Sequence, residues 1–206
     1  MVNSTDERRS GRRPGAPATR DAILAAAKEA FTAAGYRGAT IRGIAASAGV
    51  DPALVMHFFG NKEALFAEAM RPPFEPAAVL ASALAEDPAR AGERVARFFL
   101  SAWDEDSHRH TLLGLVRSAV TEPTAAAMVK QGVIGPVRDV LDKAGADQPE
   151  LRASLVASQL MGLAVGRYMV QLARLAEAPR ETVVRAVAPV LQRYINGDIT
   201  KGEGHD

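Results

Sequence analysis

Apolar residues recur at intervals of three and four along most of the chain, which is the period of an amphipathic α-helix. In the first such stretch they are Ile23, Leu24, Ala27, Ala30 and Phe31. No stretch shows the strict alternation of apolar and polar residues that is typical of a half-buried strand. The pattern therefore predicts an all-α protein with about nine or ten helices and no sheet.

Capping and turn-forming residues divide the first third of the chain into four predicted helices. Thr19 is a suitable N-cap for the first helix, and Gly35 can end it in a left-handed conformation. Thr40 is the expected N-cap of a short second helix that ends at Gly49. The boundaries of the next two helices are set by Asp51 and Pro52, by Gly60 and Asn61, and by the stop signal Arg71-Pro72-Pro73.

Further helices are predicted between breaks in the remainder of the chain. The breaks are Asp87-Pro88, Asp106-Ser107, Glu122-Pro123, residues 145–149 and Pro179. At the second break, residues 104–110 read DEDSHRH, which looks like a metal-binding cluster. His108 and His110 would not share a helix face, however, so we predict a polar helix junction there, with Asp106 or Ser107 as the cap and no metal.

The second and third helices are separated only by the turn Ala48-Gly49-Val50-Asp51. Two short helices joined by a tight turn that contains glycine are typical of a helix-turn-helix. In that motif the second helix lies in the major groove of DNA. Here the second helix of the motif is the one that begins at Pro52.

Residues 19–66 resemble the DNA-binding domain of TetR-family transcriptional regulators. The matching motifs occur in order: Ala27, Phe31, Gly35 and Tyr36; Ala39-Thr40-Ile41; Ile44-Ala45; Ala48-Gly49-Val50; and the run FGNKEALF at residues 59–66. The resemblance implies an all-helical homodimer that binds operator DNA through its N-terminal domain and carries a ligand site and a dimer interface in its larger C-terminal domain. We therefore expect a flexible basic arm at residues 1–18, a three-helix DNA-binding domain at residues 19–66 and a ligand-binding and dimerisation domain at residues 67–200.

The predicted DNA-reading helix departs from the family pattern at three positions. Leu54, Met56 and Phe58 stand where the family often has Ser or Thr, Tyr, and His. His57 is therefore the main side-chain donor, and we expect DNA reading to depend on apolar contacts, such as those with thymine methyl groups, and on DNA shape.

Eight residues are candidates for DNA contact. Lys62 suits a phosphate beside the start of the fourth helix, and the resemblance implies the same role. Arg42 can reach a phosphate or a guanine edge, and Thr40 can contact a phosphate, cap its helix, or do both. The simpler interpretation of each is a solvated side chain. The full set is Thr40, Arg42, Pro52, Ala53, Met56, His57, Phe58 and Lys62.

Charge is distributed unevenly along the 206 residues. The net charge is +1, but through Lys62 nine basic residues face five acidic ones, which gives +4 there and leaves −3 for the rest. A basic first third and a mildly acidic remainder suggest that the two parts have different functions; the alternative is a solvated tail and a chance distribution. Four arginines of the arm can enter a minor groove or remain in a solvated tail: Arg8, Arg9, Arg12 and Arg13.

The composition excludes several classes of site. The chain has no cysteine, so it has no disulfide, thiolate metal site or thiol redox sensor. It has no uncharged apolar stretch of about 20 residues and no apolar signal region near its start, so we expect a cytoplasmic location and no membrane contact. No residue pattern points to a cofactor.

Small residues on the segment 151–175 indicate a helix interface. Ser154, Ser158, Gly162 and Gly166 are spaced four apart and allow another helix to approach closely. With Val187 and Leu191 on the final helix, they fit a four-helix dimer interface formed by two chains; the alternative is a core helix within one chain.

Large apolar residues of the middle helices are candidates for the wall of an apolar ligand pocket. They are Phe98, Phe99, Trp103, Leu112, Leu115, Val116, Met128, Met161, Tyr168 and Met169. The alternative for each is an ordinary core position.

The function these patterns favour is a dimeric, sequence-specific DNA-binding transcriptional regulator. We expect a repressor that a small apolar or amphipathic effector releases from a palindromic, double-stranded operator. One alternative is a DNA-binding architectural or interaction module without a small ligand. An all-helical enzyme is a weaker alternative, because no spaced Ser/His/acid set, paired carboxylates or phosphate-binding loop is present.

Overall fold

A computed structural model of the chain describes residues 16–200, which form helices without any β-strand. The all-α prediction is therefore confirmed. The helices are α1 (Ala16–Gly38), α2 (Ile41–Ala48), α3 (Pro52–Phe59), α4 (Lys62–Ala69), α5 (Pro76–Glu86), α6 (Ala91–Asp104), α7 (Asp106–Thr121), α8 (Pro123–Val129), α9 (Gly135–Lys143), α10 (Pro149–Ala164), α11 (Ala173–Glu177) and α12 (Arg180–Asn196). A 3₁₀ turn spans Pro88–Arg90, and π-helical segments span Lys130–Ile134 and Val165–Met169.

Side-chain caps start three of the first four helices where the sequence predicts them. The Gly43 N–H donates to Thr40 Oγ1 at 3.0 Å, and the Ala53 N–H donates to Asp51 Oδ1 at 2.7 Å. The cap of α4 is Asn61, whose Oδ1 accepts from a backbone N–H at 2.7 Å. Each cap satisfies one of the backbone donors that the start of a helix leaves unpaired.

The first helix differs from its prediction at its start. It already includes Ala16, three residues before the expected N-cap Thr19. Gly35 interrupts the helix as predicted, with a non-helical backbone of φ 69° and ψ 179°, and a further helical turn follows as far as Gly38. The rest of the predicted arm, including Arg8, Arg9, Arg12 and Arg13, lies outside the described residues.

The predicted breaks in the remainder of the chain coincide with helix ends, but one predicted cap is wrong. At the DEDSHRH segment α7 already begins at Asp106, and Glu105 occupies the N-cap position without a side-chain cap hydrogen bond. Arg109 stabilises the junction instead, because its guanidinium donates to the carbonyl oxygens of Trp103 and Asp104 at 2.9 and 2.8 Å. The polar junction therefore pairs backbone carbonyl groups at the end of α6, and it supplies no side-chain cap at the start of α7.

Two hydrophobic cores and a smaller cluster organise the described residues; the smaller cluster consists of Trp103, Leu112, Val116 and Ala164. The first lies among α1 to α4 and is built around Ile23, Phe31, Ile44, Val55 and Phe66. The second lies among α5, α6, α9, α10 and α12. Within residues 16–200, no helix combines the length and the apolar character needed to cross a membrane.

The two cores meet through the middle helices. Ala125 of α8 is fully buried in the first core, and Leu115 of α7 and Met128 of α8 pack against that core as partly buried residues. The packing of α1 to α4 therefore depends on residues that follow them by about 50 positions or more in the sequence.

Candidate nucleic-acid interface

One side of helix α3 is exposed as a stripe that carries both apolar and polar side chains, and the opposite side is buried. Val55 is fully buried and Phe59 is 8% exposed, so both belong to the core. Ala53, Met56 and His57 are exposed, and their spacing of three and four places them on the same side of the helix. This stripe is free of the rest of the described chain and can enter a DNA groove.

Phe58 is less exposed to solvent than its proposed role in DNA contact requires. It is partly buried and packs against the N-terminal core, with its ring centroid 5.6 Å from that of His57 and 6.3 Å from that of Phe59. Pro52 at the start of the helix is also partly buried. Phe58 thus supports the position of His57 on the exposed stripe and offers only part of its own ring to a partner.

The start of α2 forms a second exposed edge. Thr40 and Arg42 are both exposed, and Gly43 follows them without a side chain. Because the Thr40 hydroxyl already accepts a hydrogen bond from Gly43, it caps the helix in the free protein and its proton remains able to donate. This edge suits a phosphate oxygen.

Lys62 is held in place at the start of α4. Its Nζ lies 4.7 Å from the ring centroid of Tyr36, which is a cation–π contact, and it donates to the carbonyl oxygen of Arg37 at 3.5 Å. Sequence reasoning proposed the lysine but missed its contact with Tyr36. The contact ties the positive charge to the end of α1 and so limits the positions in which it can meet a phosphate.

An acidic neighbour of Lys62 is engaged by the same tyrosine. The Tyr36 hydroxyl donates to Glu63 Oε1 at 2.8 Å. Burial, followed by this hydrogen bond and the charge of Glu63, raises the pKa of Tyr36 to about 12. Hydrogen bonding to its own backbone N–H, and then to Tyr36, lowers the pKa of Glu63. Glu63 therefore stays ionised, with its carboxylate directed to Tyr36.

Arg20 connects α1 to both of the later helices in this unit. Its guanidinium pairs with Glu68 of α4 at 2.5 Å and lies 5.1 Å from the ring centroid of Phe59 in α3. Sequence reasoning did not single out this residue, because its two contacts are distant in sequence. It fixes the end of α3 relative to α1.

Comparison with known proteins agrees with this geometry. Residues 23–69 match the sequence profile of bacterial regulatory proteins of the tetR family, and residues 89–195 match that of the tetracyclin repressor-like C-terminal domain. A TetR-family regulator from Streptomyces coelicolor is 36% identical, with 90% of this chain and 99% of that chain covered and a TM-score of 0.62.

The chain belongs to the TetR family. It is accordingly a DNA-binding transcriptional regulator from a family of regulators rather than enzymes.

Other solved structures share the fold of this TetR-family chain. A transcriptional regulator from Rhodococcus sp. RHA1 is 25% identical, covers 85% of this chain and 94% of its own, and has a TM-score of 0.54. A TetR-family regulator from Rhodococcus sp. is 21% identical, with coverage of 87% and 100% and a TM-score of 0.62. No curated protein gives a significant match to the sequence.

In this TetR-family chain, the predicted dimer stripe is only partly available to a second chain. Ser154, Ser158 and Gly162 are exposed on α10, and a Cβ atom on Gly162 would meet open space. Gly166 is buried, because the side chains of Leu172 and Leu175 close over it. Gly166 therefore lies beneath its own chain and outside the exposed part of the stripe.

Leu191, the other predicted interface residue on α12 besides Val187, is also covered within its own chain. Leu191 is fully buried in the core of its own chain, whereas Val187 is partly buried. The reason lies at Gly92 of α6, which α12 approaches so closely that a Cβ there would lie 2.5 Å from the carbonyl oxygen of Ala188. The face of α12 that carries Leu191 is thus occupied by α6.

Apolar cavities lie beside α7 and α10, where a ligand pocket was predicted. One cavity of about 140 Å³ is lined by six of the predicted residues: Phe99, Trp103, Leu112, Leu115, Val116 and Met161. An adjoining cavity of about 80 Å³ includes Phe98 and shares Phe99 with the first. Met128 borders a third, more polar space.

Some predicted wall residues are absent from these linings, and others were missed. Tyr168 and Met169 do not line the three cavities; Tyr168 stacks on Trp103 from behind, with centroids 5.0 Å apart. Phe74, Pro76 and Val133 line all three cavities. Sequence reasoning missed Val133, which lies in a π-helical segment that only the structure reveals; such segments occur frequently at functional sites.

Proposed function

We propose that this TetR-family regulator binds a palindromic operator as a homodimer and represses transcription until a small apolar or amphipathic ligand releases it. The proposal for DNA reading rests on the solvent-facing stripe of α3. Ala53 and Met56 would contact apolar groups such as thymine methyls, and His57 would supply a hydrogen bond to a base edge or a phosphate. Thr40, Arg42 and Lys62 would position the domain on the phosphate backbone.

The face of α10 supports the homodimer. Leu151 is 46% exposed, and Ser154, Ser158 and Gly162 follow it along the same side of the helix. An exposed leucine beside small residues suits a closely packed helix pair between two copies, to which Val187 of α12 adds a partly exposed apolar side chain. A twofold pair of α3 helices would read the two halves of a palindrome.

The proposed ligand response rests on Leu115, which contacts both a cavity and the DNA-binding domain. Its side chain lines the cavity of about 140 Å³ and also packs against the core of the DNA-binding helices. A ligand that displaces Leu115 would therefore disturb the packing of α1 to α4. The ligand can weaken DNA binding only in so far as it binds the DNA-incompetent arrangement better than the competent one.

Operator titrations with and without ligands test the proposal. Compounds that raise the melting temperature of the free protein are selected first, and each is then added to a titration of protein into its operator duplex. We expect at least one to weaken DNA binding by about 5- to 150-fold, the usual range of allosteric coupling. Operator affinity that stays the same with every stabilising ligand would contradict the ligand response.

A reporter gene placed behind the operator tests repression separately. Expression should fall when the protein is produced and recover when the ligand is added. Expression that rises with the protein would instead identify an activator.

A further inference from the structure

The two inner cavities adjoin each other and together form a chamber whose walls carry no charged side chain. The lobe of about 80 Å³ and the lobe of about 140 Å³ share Phe74, Phe99, Val133 and Leu160. All residues that line the two lobes belong to the described part of the chain, and none of them carries a charged side chain. A buried charge without a partner is strongly unfavourable. An ionised group would find no partner in this chamber.

One polar hydrogen in the wall lacks a partner. Trp103 lines the larger lobe and is 1% exposed, and its indole Nε1 is buried without a hydrogen-bond acceptor among the described residues. Buried N–H groups are nearly always paired, so an unpaired one needs an explanation. Its ring is fixed between Tyr168 and Phe99, at centroid distances of 5.0 and 5.8 Å, so it cannot easily turn to find another acceptor.

The charged groups nearest the chamber border a separate space beside it. A third and more polar space adjoins the larger lobe through Phe74, Leu115 and Val133, and Arg71 and Glu75 border it. Arg71 and Glu75 are exposed. An ionised group could keep water or a charged partner in this polar space, whereas the walls of the chamber offer it no charged partner.

We propose that the effector is a neutral, elongated apolar molecule with one hydrogen-bond acceptor, such as a ketone or ester oxygen, which accepts from Trp103 Nε1. The apolar chain occupies both lobes past Phe99, and the acceptor satisfies the unpaired N–H. The inference rests on the proposed ligand response, to which it adds the chemical class of the ligand and the residue that recognises it.

Three probes of equal chain length test the ligand class: octan-2-one, octane and octanoate. Trp103 is the single tryptophan of the chain, so its fluorescence reports directly on the chamber. We expect octan-2-one to bind about 3- to 10-fold more tightly than octane, the effect of one net hydrogen bond. Octanoate should bind at least about tenfold more weakly than octan-2-one, because its charge must be desolvated. Equal binding of the ketone and the alkane, or tightest binding of octanoate through Arg71, would overturn the proposal.

Two variants separate the hydrogen bond from the shape of the chamber. Trp103→Phe removes the N–H but keeps an aromatic ring, so calorimetry should show similar affinities for octan-2-one and octane. Phe99→Leu changes the wall without removing a polar group, so both affinities should fall while their ratio persists. A ratio that is unchanged in Trp103→Phe would contradict the role of the indole.

DNA binding distinguishes this inference from the proposed function. An operator complex that octanoate dissociates and octan-2-one does not would refute the ligand class and retain the ligand-responsive regulator. Selective binding of octan-2-one with unchanged operator affinity would retain the chamber chemistry and refute the ligand response.

Discussion

Gly114 of α7 lies directly against Thr32 of α1: a Cβ atom on the glycine would lie 2.9 Å from Thr32 Oγ1 and 3.1 Å from Thr32 Cα. It would also lie 2.6 Å from Met70 Cε. One turn further along α7, Arg117 donates to the carbonyl oxygen of Thr32 at 3.3 Å. The helix that lines the ligand chamber thus meets the first DNA-binding helix at its backbone, so a shift of one helix displaces the other.

Substitution of Gly114 tests this close crossing. Gly114→Ala should lower the free energy of unfolding by about 1–3 kcal/mol, because the methyl group cannot fit without moving α1. Urea denaturation measures the change. The matched control is Gly132→Ala, whose Cβ would meet open space and which should change stability by less than about 1 kcal/mol. Similar stability of the two variants would show that the helices separate easily.

The position of Lys62 predicts a specific effect on DNA affinity. Lys62→Met keeps the apolar stem but removes the charge, so binding should weaken by a similar factor on all duplexes. The slope of log affinity against log salt should decrease in magnitude by about 0.9, which corresponds to one phosphate contact. Lys143→Met at the exposed end of α9 is the control and should leave the slope unchanged. An unchanged slope in Lys62→Met would exclude a phosphate contact.

The hydrogen bond from Tyr36 to Glu63 predicts a dependence of stability on pH. Because the pKa of Tyr36 is raised from 10.0 to about 12, its stabilising effect is complete below pH 10 and is lost as the pH rises towards 12. The lowered pKa of Glu63 has the opposite pH dependence. The ionised carboxylate stabilises the fold above the ordinary pKa of a glutamate, and this stabilisation is lost as the pH falls through the lowered pKa.

Tyr36→Phe isolates this effect. The variant should lose less stability than the wild type between about pH 10 and pH 12 in denaturant unfolding, since it no longer carries the shifted tyrosine. Tyr168, whose pKa burial and Asp104 also raise to about 12, remains in both proteins and serves as the internal reference. If the free energy of unfolding fell equally with rising pH in both proteins, the raised pKa assigned to Tyr36 would be wrong.

The exposed face of α10 predicts the effect of a charge at Gly162. Gly162→Arg meets open space in a single chain, so the chain should remain folded. In a helix pair the new charge would be buried without a partner, and dimerisation should weaken by about 100-fold or more. Sedimentation equilibrium measures the association, and Ala85→Arg at an exposed position of α5 is the control. A Gly162→Arg protein that associates like the control would place any dimer contact elsewhere.

The beginning of the chain was the most predictable part, because its signals are local. Asp51, Pro52 and Asn61 act on backbone groups within three residues, so the starts of α3 and α4 could be derived from the sequence. The inward positions of Val55 and Phe59 follow in the same way from helical spacing.

The sequence was least informative where contacts between distant elements decide the position of a residue. Helix α12 has apolar residues on more than one face, and only the close approach of α6 at Gly92 determines that Leu191 belongs to the chain's own core. Likewise, Phe58 and Val55 look equally apolar in the sequence, but packing against the N-terminal core leaves Phe58 partly covered. Seven wall residues of the chamber were predicted from the sequence, whereas the position of Val133 depends on a π-helical segment that no sequence signal indicated.

Selection of bound sequences from random duplexes tests the central claim most directly, namely that the exposed stripe of α3 reads DNA from a twofold pair. The wild-type protein should enrich a palindrome whose half-sites lie about 34 Å apart, one turn of DNA, or a multiple of that distance. The same selection with His57→Ala should relax the preference at one symmetric pair of positions. Enrichment of no sequence, or of a single site without symmetry, would contradict the account.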